Sequence, residues 1–154
     1  MKELAKHTIG IDFGRTIFDP NNGNKIVFPH AFRVIRRMVD EGHAVHIISK
    51  VTEEQEVRGR KWIVDVNFLQ ETGVKMENIH FCRERWEKAV IAEDVQLTHH
   101  IDDRPEVMVH MDVRILKYLF QPKGDDLVEH FNRLRFHTVT VVNTWLEIEN
   151  LIFS

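Results

Sequence analysis

The stretch IGIDFGRTIF, residues 9–18, decides the fold of this chain. Its apolar start predicts a buried β-strand that ends at Asp12, after which the chain turns through Gly14 to Thr16. A strand that ends in this way presents its carboxylate at the edge of a sheet, where it can serve as a nucleophile or as a magnesium ligand. One carboxylate does little chemistry alone, so other parts of the chain must supply its partners.

The composition is that of an ordinary globular protein. The 154 residues carry a formal net charge of −3, with 43% hydrophobic and 29% charged residues. This balance gives no overall attraction to nucleic acid or acidic membranes, although it leaves room for local basic patches. Cys82 is the only cysteine, which excludes an internal disulfide. Because no signal-peptide pattern and no apolar run of the roughly 20 residues that span a bilayer is present, we expect a cytoplasmic protein.

Strand patterns alternate with helix patterns along the chain. The predicted strands cover residues 7–11, 43–49, 78–82, 97–101 and 113–120, and residues 17–18 and 26–28 flank an Asn22-Gly23 hairpin turn. The predicted helices run from Pro29 to Gly42, from the Thr52/Gln55 capping box to about Thr72, through Trp86 to Ile91, and from Pro105. This alternation predicts a single α/β domain over residues 1–154, with a three-layer, Rossmann-like, mostly parallel sheet of about five strands. The room between the elements allows a small hairpin flap and no cap domain.

The segment from Pro122 to Ser154 is less determined. We predict a helix over Leu127 to Leu134, a short extended stretch at residues 138–142 and a closing helix from Trp145. These elements are expected to cover an edge or a face of the sheet.

Polar residues follow several of the predicted strands. Asp12 ends the first strand, Ser49 the second and the pair Asp102-Asp103 the fourth, while Lys88 lies early in the preceding helix. Because ligands bind beyond the carboxyl ends of parallel strands, we expect these side chains to converge at one edge.

In the order and placement of IGIDFGRTI, VHIIS, RERWEKAVIAED and HHIDDRPEV, the chain resembles the haloacid dehalogenase (HAD-like) superfamily over roughly residues 7 to 120. The resemblance implies a Mg²⁺-dependent phosphohydrolase in which Asp12 forms an aspartyl-phosphate. It implies that Mg²⁺ is held by the Asp12 carboxylate, the Gly14 carbonyl and the Asp102 carboxylate.

The resemblance also implies roles for the remaining residues. Ser49 and Lys88 would bind the phosphoryl group, as would Arg15 if its guanidinium reaches it. Asp103 would orient the water shell of the metal or Lys88, although the two aspartates of the pair could exchange roles.

Gly14 departs from the family pattern, because the family's phosphatases place a second Asp there as the general acid and base. Such catalysis is typically worth ~10²–10⁴ in rate, so we expect weak turnover unless another group substitutes. Four candidate substitutes are His30, His46, Lys50 and Asp19. A leaving group that needs no protonation is the other solution.

Each of these residues also has a purely structural interpretation. Asp12, Ser49 and the Asp102-Asp103 pair are typical of turns and helix caps, and Lys88 of a solvated helix face. His99 and His100 point to opposite faces of a strand, so we interpret them as ordinary buried or rim histidines rather than as metal ligands.

Three functional hypotheses follow. The first is a capless HAD-like phosphohydrolase whose partner is a phosphorylated substrate, small or macromolecular, with no membrane and with nucleic acid as a minor alternative. The second is a catalytically silent binding or regulatory domain with the same fold. The third, a receiver-like phosphorylation domain, fits less well because its acidic pair usually comes early in the chain.

Overall fold

A computed structural model describes residues 5–19 and 26–154. The strands in this part of the chain are β1 (Thr8–Ile11), β2 (Phe18–Asp19), β3 (Ile26–Val27), β4 (Ala44–Lys50), β5 (Ile79–Cys82), β6 (His99–Asp102), β7 (Leu116–Phe120) and β8 (Val139–Val142). The α-helices are α1 (Ala31–Asp40), α2 (Glu53–Asp65), α3 (Phe68–Thr72), α4 (Arg85–Asp94), α5 (Pro105–Met108), α6 (Gly124–His130) and α7 (Trp145–Ile152). Short 3-10 helices lie at Met76–Asn78 and Phe131–Leu134.

Six strands form one parallel sheet in the order β5-β4-β1-β6-β7-β8. β1 lies inside the sheet, where Ile9 is opposite both Val45 of β4 and His99 of β6. From β1 the chain first adds β4 and β5 on one side, and then crosses to add β6, β7 and β8 on the other. The predicted α/β fold with a parallel sheet is confirmed.

Helices cover both faces of this sheet. Residues of α1, α3 and α7 share one apolar cluster with strand residues that include Ile47, whereas α4 and α5 share a second cluster that includes Ile48. The two neighbouring isoleucines divide in this way because successive side chains of a strand point to opposite faces. The three-layer arrangement is therefore confirmed.

The hairpin and the lack of a cap also agree with expectation. β2 and β3 pair antiparallel, with Phe18 opposite Val27. The predicted Asn22-Gly23 turn lies outside the described residues. Within the described residues, the hairpin takes the place between β1 and α1, and no cap domain is present. No helix among these residues is long and apolar enough to cross a membrane.

The single helix predicted from Thr52 to about Thr72 is wrong. The capping box does form at its start, since the Thr52 side chain accepts from the Gln55 N–H and the Gln55 side chain accepts from the Thr52 N–H. The chain then leaves α2 and begins α3 after Asn67, which has a φ of 54°. Asparagine tolerates this left-handed conformation better than most residues, and the turn carries Phe68 into the core, where it is fully buried.

The carboxyl-terminal part adds a strand to the expected count of about five. Residues 139–142 form β8, which pairs with β7 at the edge of the sheet. A four-residue Val/Thr run is too short for its alternation to distinguish an edge strand from an extended loop. The predicted helix over Leu127 to Leu134 begins earlier, at Gly124, and its last turn is a 3-10 helix.

Candidate active site

The candidate site lies at the carboxyl ends of three neighbouring strands. Asp12 follows β1, Ser49 lies in the last turn of β4, and Asp102 ends β6. Because β1 pairs in parallel with both β4 and β6, these strand ends share one edge of the sheet. The order of strand addition reverses at β1, and ligands bind at such switch points in open α/β sheets. Lys88 reaches the same edge from the first turn of α4.

Lys88 joins two carboxylates inside the protein. Its Nζ lies 2.9 Å from Asp12 Oδ1 and 2.9 Å from Asp102 Oδ2, and its side chain is 3% exposed. Burial opposes the charge, but the carboxylates of Asp102 and Asp12 together hold the pKa of Lys88 well above its usual range. Lys88 is therefore a fixed cation beside Asp12 and not a solvated helix lysine.

Asp102 is enclosed by hydrogen-bond donors on both of its oxygens. Oδ2 accepts from Lys88 and from His100 Nε2–H at 3.0 Å, and Oδ1 accepts from the Arg104 backbone N–H at 3.1 Å. Burial opposes ionisation, but Lys88 and His100 keep the pKa of Asp102 below its usual range. Asp102 is thus an ionised carboxylate whose oxygens already have partners.

Sequence reasoning did not assign His100 to this site, although it expected a buried histidine. The available signal was the spacing from Asp102, because residues i and i+2 of a strand point to the same face. Gly10 on the neighbouring strand makes room for the ring, since a Cβ at that position would lie 2.7 Å from His100 Nδ1 and 2.6 Å from Leu97 Cδ1. A glycine in the interior of β1 is therefore required by the close approach of β6.

Asp103 lies against Asp12 at the wall of a pocket. It is 9% exposed, and among the described residues its Oδ1 has no hydrogen-bond partner. Burial and then the charges of Asp12 and Asp102 raise the pKa of Asp103 to about 8. Burial and the charge of Asp102 likewise raise the pKa of Asp12, against the opposing effect of Lys88. Both shifts have the sign that a bound cation would reverse.

The three aspartates fit a divalent cation. Asp12, Asp102 and Asp103 each offer one carboxylate oxygen, and these oxygens lie within 4.8 Å of one another. Hard oxygen donors are the ligands that Mg²⁺ prefers. The partnerless Oδ1 of Asp103 is the donor atom that the protein itself leaves unsatisfied.

The turn after Asp12 is held by backbone acceptors. The Arg15 N–H donates to the Phe18 carbonyl at 2.8 Å, and Trp145 Nε1–H donates to the Thr16 carbonyl at 2.8 Å. Arg15 has a φ of 63°, which favours glycine, whereas Gly14 has no positive φ. A Cβ at Gly14 would meet nothing within 4 Å. The backbone therefore does not require glycine at position 14, and the space beside it is open.

A pocket of about 540 Å³ opens in front of Asp12. Phe18, Trp62 and Phe81 give it an aromatic wall, next to Gly59 of α2. The charged and polar residues around it are Asp12, Arg15, Ser49, Lys50, Gln55, Arg58, Arg85, Lys88, Asp103 and Arg104. Cations outnumber carboxylates in this lining, so the pocket attracts anions.

The pocket brings together most of the predicted site residues, Asp12, Gly14, Arg15, Ser49, Lys88 and Asp103, and Asp102 lies directly behind them. Sequence reasoning missed the arginines at positions 58, 85 and 104, which approach the site from α2, from α4 and from the turn after β6. Glu106 holds two of them, with oxygen–nitrogen distances of 3.4 Å to Arg85 and 3.1 Å to Arg104. Arginines on three separate elements have no shared sequence pattern that would reveal them.

The structure separates the four candidate substitutes for the missing acid, all of which lie within the described residues. Lys50 lines the pocket. His46 lies within β4, with its Nδ1 3.0 Å from His80 Nε2, and His30 precedes α1 on the exposed surface. Asp19 lies in the hairpin strand β2. His30, His46 and Asp19 do not line the pocket.

No protein-family model matches this chain, and no curated protein matches it significantly. Among solved structures, the chain is similar to the crystal structure of D,D-heptose 1,7-bisphosphate phosphatase from B. bronchiseptica complexed with magnesium and phosphate. The TM-score is 0.65 at 12% sequence identity, and the match covers 96% of this chain and 98% of that chain. A likeness at this identity shows the fold, which is a Rossmann-like HAD core without a cap domain.

Proposed function

We propose that this protein is a Mg²⁺-dependent phosphohydrolase of the HAD-like type, with Asp12 as the nucleophile. The position of Asp12 carries this proposal: its carboxylate lies at the wall of a cation-rich pocket and is held 2.9 Å from the buried Lys88 Nζ. The fold likeness to a phosphatase over nearly the whole chain supports it.

The residues around Asp12 have distinct proposed roles. Lys88 holds Asp12 in place and offsets negative charge on the phosphoryl group. Ser49, which is 4% exposed and lines the pocket, donates a hydrogen bond to a phosphoryl oxygen. Arg15 supplies a second cation at the pocket wall. An Asp12 oxygen attacks phosphorus as the bond to the leaving group breaks, and water then releases phosphate from the aspartyl-phosphate.

We infer that Asp12, the Gly14 carbonyl and Asp103 hold the cation. This exchanges the predicted roles of the acidic pair, because the oxygens of Asp102 already accept from Lys88, His100 and the Arg104 N–H, whereas Asp103 Oδ1 has no partner in the described part of the chain. Asp102 then acts from behind by holding Lys88. When bound, Mg²⁺ offsets the mutual repulsion of nucleophile and phosphate.

The substrate is a phosphorylated compound in this proposal. The compared enzyme is named for a sugar bisphosphate, but the pocket of this chain opens to the surface without a cap domain over it in the described residues. Such an open site accommodates a macromolecular substrate as readily as a small one.

The second candidate function is a catalytically silent domain that keeps the fold and the cation site. The open space at Gly14 favours it, because position 14 supplies no proton-transferring side chain beside Asp12. Turnover of any phosphate ester at Asp12 excludes this alternative.

The test is hydrolysis of a substituted phenyl phosphate with Mg²⁺ by three forms of the protein. Asp12→Asn keeps the shape of the side chain and should reduce the rate to the uncatalysed background. Asp65→Asn, at the exposed end of α2, is the matched control and should hydrolyse like the wild type. Equal rates for the wild type and Asp12→Asn would remove Asp12 from the mechanism.

A further inference from the structure

The space beside Asp12 at position 14 has a consequence for the leaving group. We propose that the substrates of this site are phosphate esters of weakly basic hydroxyls, aryl phosphates above all, because the leaving group departs without a proton from the protein. This inference rests on the proposed function and narrows its substrate class.

The first support is the inventory of groups that can give a proton in the pocket. Among the described residues, the ionisable side chains of the lining other than arginine are Asp12, Asp103, Lys50 and Lys88. Asp12 is the nucleophile, and Lys88 donates to two carboxylates and stays charged. Asp103 shares a hydrogen bond with Asp12 and belongs to the cation cluster. This leaves Lys50, whose ammonium is a weak acid.

The second support is the shape of the pocket. Phe18, Trp62 and Phe81 line it, and the Phe18 and Trp62 ring centroids are 4.8 Å apart. Gly59 faces this wall, and a Cβ there would lie 3.4 Å from Phe81 Cε1. A helix glycine leaves space over the Phe81 ring, and a flat aromatic group is the shape that packs on such a wall.

The chemistry follows from the missing acid. As Asp12 attacks, the phosphorus–oxygen bond breaks and its electron pair stays on the leaving oxygen. A phenoxide tolerates that charge until solvent protonates it, whereas an alkoxide is too basic to leave without an acid. Water then attacks the aspartyl-phosphate, the Asp12 carboxylate leaves with its electron pair, and the proton of the water goes to the released phosphate. No base assists this second step, so the phosphoenzyme should accumulate.

The experiment measures kcat/KM for a series of aryl phosphates of graded leaving-group pKa, together with one alkyl phosphate. The variants are Gly14→Asp, which adds a carboxyl group in the open space, and Gly14→Asn, which adds the same volume without a titratable proton. The wild-type rate should fall steeply as the leaving group becomes more basic. Gly14→Asp should flatten that dependence and raise the alkyl phosphate rate by ~10²–10⁴, with little gain for the most acidic phenol. Gly14→Asn should keep the steep dependence.

A second measurement uses the wild type alone and does not depend on the folding of any variant. Quenched mixing of the wild type with the most activated aryl phosphate should show a burst of phenol and a protein heavier by one phosphoryl group. A shallow wild-type dependence would overturn the inference, as would a Lys50→Met variant that selectively loses alkyl phosphate hydrolysis. Neither result would touch the proposed function, which fails only if the wild type neither turns over the activated ester nor forms a phosphoenzyme.

Discussion

Replacing Lys88 with methionine removes the charge that joins the two buried carboxylates and keeps most of the apolar stem. Lys88 Nζ lies 2.9 Å from both Asp12 Oδ1 and Asp102 Oδ2, and the side chains of Lys88 and Asp102 are 3% and 0% exposed. Removing one partner of such a buried pair leaves an uncompensated charge, at a cost of about 3–5 kcal/mol. We expect Lys88→Met to lower the free energy of unfolding by that amount in the absence of divalent cations.

The cost should depend on pH in a defined direction. Without Lys88, the pKa values of Asp12 and Asp102 in the folded protein rise above their unfolded values, because burial and mutual repulsion are no longer opposed. A group with a raised folded pKa stabilises the fold below its unfolded pKa, and that contribution is lost as the pH rises through the folded pKa. The variant should therefore be closer to the wild type at pH 5 than at pH 8.

Urea unfolding followed by circular dichroism, in EDTA at both pH values, measures this effect. Lys61→Met is the matched control, because Lys61 pairs with Asp65 on the exposed face of α2. An exposed pair at this spacing contributes little, so the control should unfold like the wild type. A Lys88→Met protein as stable as the Lys61→Met protein at pH 8 would refute the buried ion-pair interpretation.

Two further predictions concern the cation and a distant histidine. Mg²⁺ at a hundredfold excess over Kd should stabilise the folded protein by about 2.7 kcal/mol, and Asp103→Asn should reduce the shift in Tm more than Asp102→Asn; indifference to Mg²⁺, Mn²⁺ and Ca²⁺ alike would remove the cation site. His99 has a pKa lowered to about 4 by burial and by His7 and His43, so the unfolded chain takes up a proton first as the pH falls. The free energy of unfolding should therefore fall by about 2 kcal/mol between pH 6.5 and pH 4, and His99→Gln should lose that part of the slope while keeping the remainder.

The strand–helix alternation and the edge of the sheet that carries the site were predictable from the sequence. Local periodicity reports which face of an element is buried, and parallel strands joined by helices bring their carboxyl ends to one edge. Asp12, Ser49, Lys88 and the acidic pair therefore converge as predicted, because each lies at the end of an element whose type is encoded locally. The break between α2 and α3 escaped prediction, since Asn67 adopts a left-handed conformation that helical periodicity does not reveal.

The division of labour within the acidic pair was decided by the tertiary structure. Asp102 and Asp103 are adjacent and chemically identical, so no local pattern distinguishes them. The side chain of Asp102 meets Lys88 from α4 and His100 from the same face of β6, while Asp103 lines the pocket beside Asp12. Successive side chains diverge, and which direction is enclosed depends on the helices that pack above the strand.

The sequence by itself therefore determined the layers of the fold, the edge that carries the chemistry and the carboxylates available there. Only the tertiary structure decided that Gly14 faces open space, that Lys88 is buried between two carboxylates and that arginines from separate elements surround the pocket. The physical reason is range: periodicity and turn chemistry act over a few neighbouring residues, whereas burial and charge at this site depend on side chains far apart in the chain. Lys88 and Asp12, separated by 76 positions, are the clearest case.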